Sequence, residues 1–191
     1  MAHSFFAYIS RMRYISRWGL MRNTCEENVQ EHSHMVAVLA HALAVIRRDI
    51  FGGTAEPGLV AAAALYHDAS EIFTGDLPTP VKYFNPEIRD AYKKVEASAA
   101  DKLLTMLPAP LRPAYEPLLS ESDPDTAQLV KAADKLSAYL KCVEELKAGN
   151  LEFKSAAAQT LEALEALHLP ELEYFMTQFL PAFSLTLDEL Q

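Results

Sequence analysis

Strict alternation of apolar and polar residues, the mark of a half-buried strand, is absent from this chain, and so are the valine and isoleucine clusters that build sheets. Ala, Leu, Glu and Lys dominate the long segments instead, and such side chains lose little freedom in a helix. Glycine and proline then divide the chain into helices. A short helix over 3–13 leads to a turn carrying Arg17, Trp18 and Gly19. The next begins at Asn28, three residues before Glu31 as in a capping box, and ends at Gly52-Gly53. A third runs from Glu56 or Pro57 to Phe73. The stretch GDLPTP at 75–80 stays outside helix interiors, because Pro78 and Pro80 lack donors and restrict their neighbours. Asn85 and Pro86 open a fourth helix reaching Leu107. Pro108, Pro110, Pro113 and Pro117 break up the segment after it. Asp123-Pro124 opens a long helix ending at Gly149-Asn150, and two more cover 152–167 and 171–179. No repeat, low-complexity tract or long linker interrupts this order, so the expectation is one all-α domain over residues 1–191.

Half of the 191 residues are hydrophobic and the net charge is −9. An acidic surface argues against a nucleic-acid polymer or an anionic membrane as partner, while leaving room for a small anion held by a few local cations. Arg11, Arg13, Arg17 and Arg22 all precede the first acid, Glu26. Cys25 and Cys142 are too few and too isolated for a disulfide framework or a thiolate zinc site. The longest apolar stretch, LVAAAALY at 59–66, is too short to span a bilayer and reads as core helix. With no leader pattern at the start, the expected location is the cytoplasm.

Chemistry enters with His67-Asp68 in LYHDASEIFTGD. His32 lies upstream in EHSHM and Asp134 downstream in AADKLSAYL. Two imidazoles and two carboxylates form a donor set suited to a divalent metal, and a metal that activates water makes hydrolysis the leading chemistry. Positions 32, 36, 39, 43, 46 and 50 step by three and four, which places His32 first in a buried stripe and turns His34 and His41 outward. His67 shares a face with Val60 and Ala64; Asp68 is turned from it by ~100°, and Glu71 leans toward the same place. Asp134 fits less well. The apolar stripe of its helix is Leu129, Ala133, Leu136, Leu140 and Val143, and periodicity puts Asp134 on the solvated side.

The ordered set His32, His67-Asp68 and Asp134 resembles the HD-domain metal-dependent phosphohydrolase superfamily. The strings RWGLMRN, ENVQEHSHMVA, YHDASEIFTGDLPTPVKYFN, KAADKLSAYLKCVEELKAGN and SLTLDEL, spread along the chain, are similar to the bacterial 5′-deoxynucleotidase family. This resemblance implies a helical HD-domain bundle, a homodimer, and removal of phosphate from deoxyribonucleoside 5′-monophosphates with little action on ribonucleotides. It implies that His32, His67, Asp68 and Asp134 hold one divalent cation (cobalt, manganese, zinc, copper or iron). It implies that Arg17 and Trp18 contact substrate together with His32, Asp68 and the loop Asp76, Leu77, Pro78 and Thr79. Arg17, Asp68 and Glu71 are the implied catalytic residues. In the mechanism that fits, metal-activated water attacks phosphorus, Arg17 binds phosphate and Glu71 moves a proton, as acid or as base. Asp76 binds the 3′-hydroxyl and Trp18 fills the space of a 2′-hydroxyl. Two alternatives stay open: an HD-type hydrolase of nucleoside triphosphates or cyclic nucleotides, and a non-catalytic helical protein with a structural metal.

Overall fold

A computed structural model describes residues 2–82, 84–120 and 123–190, apart from the side chain of Thr79. Among these residues the regular structure is helical; the extended pairing is one isolated bridge, Ser16 to Asn28. Helix α1 spans Phe5–Ile9 and passes into a 3₁₀ turn, Ser10–Tyr14. Helix α2, Val29–Asp49, begins with the expected capping box: Glu31 N donates to Asn28 Oδ1 at 3.0 Å and Asn28 N to Glu31 Oε2 at 3.2 Å. Val36, Leu39, Leu43 and Ile46 are buried as the stripe requires, whereas Ile50 and the outward His34 and His41 are exposed.

Helix α3 covers Pro57–Tyr66 and stops sooner than its pattern suggests. Residues 67–70 form a tight turn before α4, Glu71–Thr74, with Ala69 N donating to Tyr66 O at 2.9 Å and Glu71 N to Asp68 O at 3.0 Å. These i→i+3 bonds tighten the chain, so apolar content continues past the helix end and periodicity hides the break. The stretch 75–78 is irregular, and Pro80 is the second residue of a short α5, Thr79–Lys82, where its missing donor costs nothing. Helix α6 is Pro86–Thr105, capped by Asn85 Oδ1 on Ile88 N at 2.7 Å. The prolines beyond it interrupt less than expected. A 3₁₀ turn, Ala109–Leu111, leads into α7, Arg112–Leu119, with Pro113 in the first turn and Pro117 inside it. Helix α8, Pro124–Lys147, is capped by Asp123; α9 is Lys154–Glu165 and α10 is Pro170–Gln178.

The main core is where α2, α3, α8 and α10 meet, through Leu39, Leu43, Val60, Leu129, Leu136, Leu172 and Phe175. A smaller cluster joins Phe5 of α1 to Ala69 in the 67–70 turn and to Leu103 and Leu107 at the end of α6. The HD turn is thus held on apolar packing from behind. The segment 15–28 crosses the structure as a strap. Its two ends pair with each other: Arg17 N donates to Glu27 O and Val29 N to Ile15 O, both at 2.9 Å. At its middle, the buried Glu145 of α8 accepts from Thr24 N at 2.9 Å, Thr24 Oγ1 at 2.8 Å, Asn150 Nδ2 at 2.8 Å, and Lys141 Nζ.

Burial alone pushes the Glu145 carboxyl up, but the donors on Lys141, Asn150 and Thr24 outweigh it and hold it well below its ordinary 4.5. A carboxyl depressed on folding stabilises the protein above its ordinary value, and the contribution disappears as pH falls. Glu145→Ala is therefore expected to cost about 3–5 kcal/mol at neutral pH, because it strands Lys141 in the interior. In urea titrations, the gap between Glu145→Gln and the unaltered protein should narrow as pH drops below 4.5. A gap independent of pH would show that the carboxylate charge is not what anchors the strap.

Candidate metal centre and substrate cleft

His32 is fully buried on α2. Its Nδ1 lies 3.3 Å from Ser137 Oγ, while its Nε2 is 3.0 Å from Asp134 Oδ1 and 3.6 Å from Asp68 Oδ2. His67 opens the turn after α3, and its Nδ1 donates to the Ala64 carbonyl at 2.8 Å. A carbonyl only accepts, so the proton of the neutral ring belongs on Nδ1, and Nε2 is the nitrogen that takes a cation or a second proton. That Nε2 is buried without a hydrogen-bond partner among the described residues. It faces Asp68 Oδ2 at 3.2 Å and Asp134 Oδ1 at 4.0 Å. Donor atoms of His32, His67 and Asp68 all lie within 4.8 Å of one another, and Asp134 joins through its distances to the two imidazoles.

This set fits a divalent cation. An imidazole anchored at one nitrogen by a backbone carbonyl and aimed inward with the other is the arrangement that metal ligands adopt. A buried lone pair without a donor also costs free energy that a cation would recover. The charges agree. Burial lowers the His67 pKa, but Asp68 and Asp134 more than reverse this and raise it to about 9. Burial likewise works against the Asp68 carboxylate, and His67, His32 and Arg17 still hold it far below its usual range. The cluster draws positive charge, and a divalent cation meets that demand better than a proton.

Asp134 departs from its periodicity. Alongside its apolar stripe, α8 carries a second one, Val130, Asp134, Ser137, Lys141 and Glu145, stepping by three and four. Four of these are buried; Asp134 keeps a side chain 40% exposed at the mouth of the site. The helix is covered on two faces, and the second is a polar seam against α2 and the strap. A row of polar residues at helical spacing was the available signal.

Arg17 and Trp18 enter from the strap. Arg17 Nη1 is 3.3 Å from Asp68 Oδ2 and its Nε 3.3 Å from Glu27 Oε2. Burial would lower its pKa, yet Asp68, Asp134 and Glu27 raise it, so the guanidinium stays charged. Trp18 Nε1 donates to the same Glu27 oxygen at 3.0 Å, and its ring lies 5.3 Å from that of Phe153. Trp18 has φ 58°, in the left-handed region, which costs a non-glycine residue about 1–3 kcal/mol.

Glu71 is 2% exposed. Lys82 Nζ donates to its Oε1 at 3.0 Å, while Oε2 is buried without a partner among the described residues. Burial, then the charges of Asp68 and Asp76, raise its pKa to about 8 against the opposing pull of Lys82. Lys82 also lies 5.1 Å above the Tyr92 ring. Asp76, Leu77 and Pro78 are half-buried between α4 and α5, with the Asp76 charge felt at both Glu71 and Arg17. The Thr79 side chain lies outside the described residues. Residue pattern does not single out Glu27, Ser137 or Lys82, yet each holds one of the expected site residues in place: Arg17, His32 and Glu71 respectively.

Comparison with known proteins identifies the setting. A family model described as "5′-deoxynucleotidase YfbR-like" matches residues 4–183. The 5′-deoxynucleotidase of Vibrio cholerae is 53% identical over 188 residues, 97% of each chain. That of Erwinia tasmaniensis is 54% identical over 194 residues, covering 100% of this chain and 98% of the relative. Among solved structures, an HD-domain phosphohydrolase from Listeria innocua superposes with a TM-score of 0.81 at 28% identity, covering 95% of this chain and 88% of its own. The cyanophage S-2L HD phosphohydrolase DatZ, solved with dA and one catalytic zinc ion, shares the fold at a TM-score of 0.66 and 22% identity, over 94% of this chain and 96% of its own.

Elemental analysis after dialysis is expected to find a bound divalent metal that is lost in Asp68→Ala and His67→Ala. His34→Ala and His41→Ala, on the exposed face of α2, should retain it. Equal metal content in all four variants would remove the centre from these residues.

Proposed function

This chain belongs to the YfbR-like 5′-deoxynucleotidase family, and we propose that His32, His67, Asp68 and Asp134 hold the one divalent cation with which it hydrolyses deoxyribonucleoside 5′-monophosphates. The observation that carries this reading is the buried Nε2 of His67, which has no hydrogen-bond partner among the described residues and lies 3.2 Å from the Asp68 carboxylate, with its other nitrogen committed to Ala64. When bound, such a cation lowers the pKa of water and offsets negative charge on a phosphoryl group.

The chain's own residues supply the rest. Arg17 has Nε on Glu27 and Nη1 on Asp68. Among the described residues Nη2 has no protein partner, and it is the donor left for a non-bridging phosphate oxygen, a task that suits a rigid planar guanidinium. The Glu71 proton sits on Oε2, because Lys82 occupies Oε1. Burial is the leading cause of its raised pKa, and burial persists when a cation offsets Asp68. Glu71 thus holds a proton near neutral pH and gives it to the departing 5′ oxygen. In this reading Trp18 excludes a ribose 2′-hydroxyl, and Asp76 accepts a hydrogen bond from the 3′-hydroxyl. Leu77 and Pro78 line the sugar and base. The family favours this monophosphate reading over triphosphate or cyclic-nucleotide hydrolysis. No helix of the described residues is long and apolar enough to cross a membrane. The working unit in this reading is a single-domain chain in a cytoplasmic homodimer.

Phosphate release from dAMP should stop on chelation, return on metal add-back, and exceed release from AMP. Undiminished turnover in verified metal-free protein would sink the reading. Glu71→Gln is expected to keep metal and substrate affinity while losing about 10²–10⁴-fold in kcat. The loss should be much smaller with p-nitrophenyl phosphate, whose leaving group needs no proton. An equal loss on both substrates would rule out Glu71 as the acid.

A further inference from the structure

Glu27 has no part in the chemistry assigned so far, yet its carboxylate holds two of the proposed substrate contacts. One oxygen, Oε2, accepts from Arg17 Nε at 3.3 Å and from Trp18 Nε1 at 3.0 Å. The other, Oε1, lies 4.0 Å from His32 Nδ1. The side chain is 17% exposed, so these bonds compete little with water. The backbone reinforces the arrangement: Arg17 N donates to Glu27 O at 2.9 Å, beside the Ser16–Asn28 bridge.

Neutralising Arg17 would not require this geometry, because Asp68 already pairs with it at 3.3 Å. Nor would packing Trp18, whose ring already rests against Phe153. What Glu27 adds is a link. A single oxygen takes both donors, so any displacement of the carboxylate moves guanidinium and indole together. The left-handed backbone of Trp18 turns its ring back toward that oxygen, and a conformation that L-residues resist persists only where its surroundings enforce it.

We propose that Glu27 is a positioning residue that fixes Arg17 and Trp18 as one recognition unit, so that grip on the phosphate and fit to the deoxyribose depend on a side chain that touches neither. The proposal rests on the substrate roles given above to Arg17 and Trp18.

Trp18 is the sole tryptophan of the chain, so its emission reports the link without substrate. In Glu27→Ala the emission should move to the red, acrylamide quenching should rise, and metal content should stay unchanged. The KM for dAMP should increase about tenfold, as expected for a lost charge-assisted hydrogen bond, and the preference for dAMP over AMP should shrink. Glu27→Gln, which keeps an amide acceptor, should recover part of both. Trp18→Phe deletes the N–H while keeping a ring. It should reduce the dAMP preference, and adding Glu27→Ala to it should lower that preference no further, since coupled residues are not additive. Unchanged emission and quenching in Glu27→Ala would overturn the proposal, as would loss of bound metal, which would assign the carboxylate to His32 instead. An unaltered protein that releases no phosphate from dAMP would overturn the substrate reading, while the fluorescence comparison would still decide the link.

Discussion

The structure depends on keeping two carboxylates and two imidazoles together in a largely dry place. Asp68 and Asp134 repel each other, and burial penalises both. Without compensation, one would take up a proton or turn to solvent. Compensation comes from several directions: Arg17 from the strap, His32 from α2, His67 from the HD turn, and the partial exposure of Asp134. Of the elements that deliver these groups, α2 and α8 meet in the main core, the HD turn rests on the smaller cluster and the strap is tied to α8 through Glu145, so assembly of the site depends on all three. This also explains the deep burial of His32, whose ring is oriented from both sides by Ser137 and Asp134.

The same site coincides with the departure of the chain from a simple bundle at residues 67–70. His67 itself keeps helical backbone angles, φ −57° and ψ −37°, and the i→i+3 bonds follow it. Within the turn Asp68 Oδ2 lies 3.2 Å from His67 Nε2, and His67 Nδ1 bonds the Ala64 carbonyl. Packing of Ala69 against Phe5, Leu103 and Leu107 offsets the helical bonds given up. Function is served by a local loss of regularity that apolar contacts behind the turn make tolerable.

These features separate what the sequence discloses from what it conceals. The buried stripe of α2 follows from spacing, because a helix packed along one face writes its period plainly, and the capping box and outward His34 and His41 follow by the same logic. The all-α class was legible for the same reason. Asp134 was not legible from periodicity, since α8 is covered on two faces and the search for one apolar stripe assigns the other to solvent. The resemblance placed it beside the histidines, and geometry supplies the reason. The break after Tyr66 was hidden because the stretch beyond it, through Ala69, Glu71, Ile72 and Phe73, carries no helix-breaking glycine or proline. Glu27 and Lys82 were invisible for a different cause. Each acts through a partner close in space but separated along the sequence by a turn of the chain, and a single acidic or basic residue carries no pattern that distinguishes such service from an ordinary surface charge.

The strap shows how a site with strained parts is stabilised elsewhere. Trp18 is held in a left-handed conformation, and Arg17 is shared between two carboxylates; neither arrangement would survive on a loose loop. The strap is fastened at Ser16–Asn28 next to the cap of α2 and again at Thr24 on Glu145. Glu145 lies on the same polar seam of α8 as Asp134, so one helix both contributes to the proposed metal centre and anchors the segment that brings Arg17 to it. A shift of α8 would change the surroundings of the proposed cation and the proposed phosphate contact together. Coupling of this kind favours a preorganised cleft over one completed by substrate, because the ordering cost is met during folding.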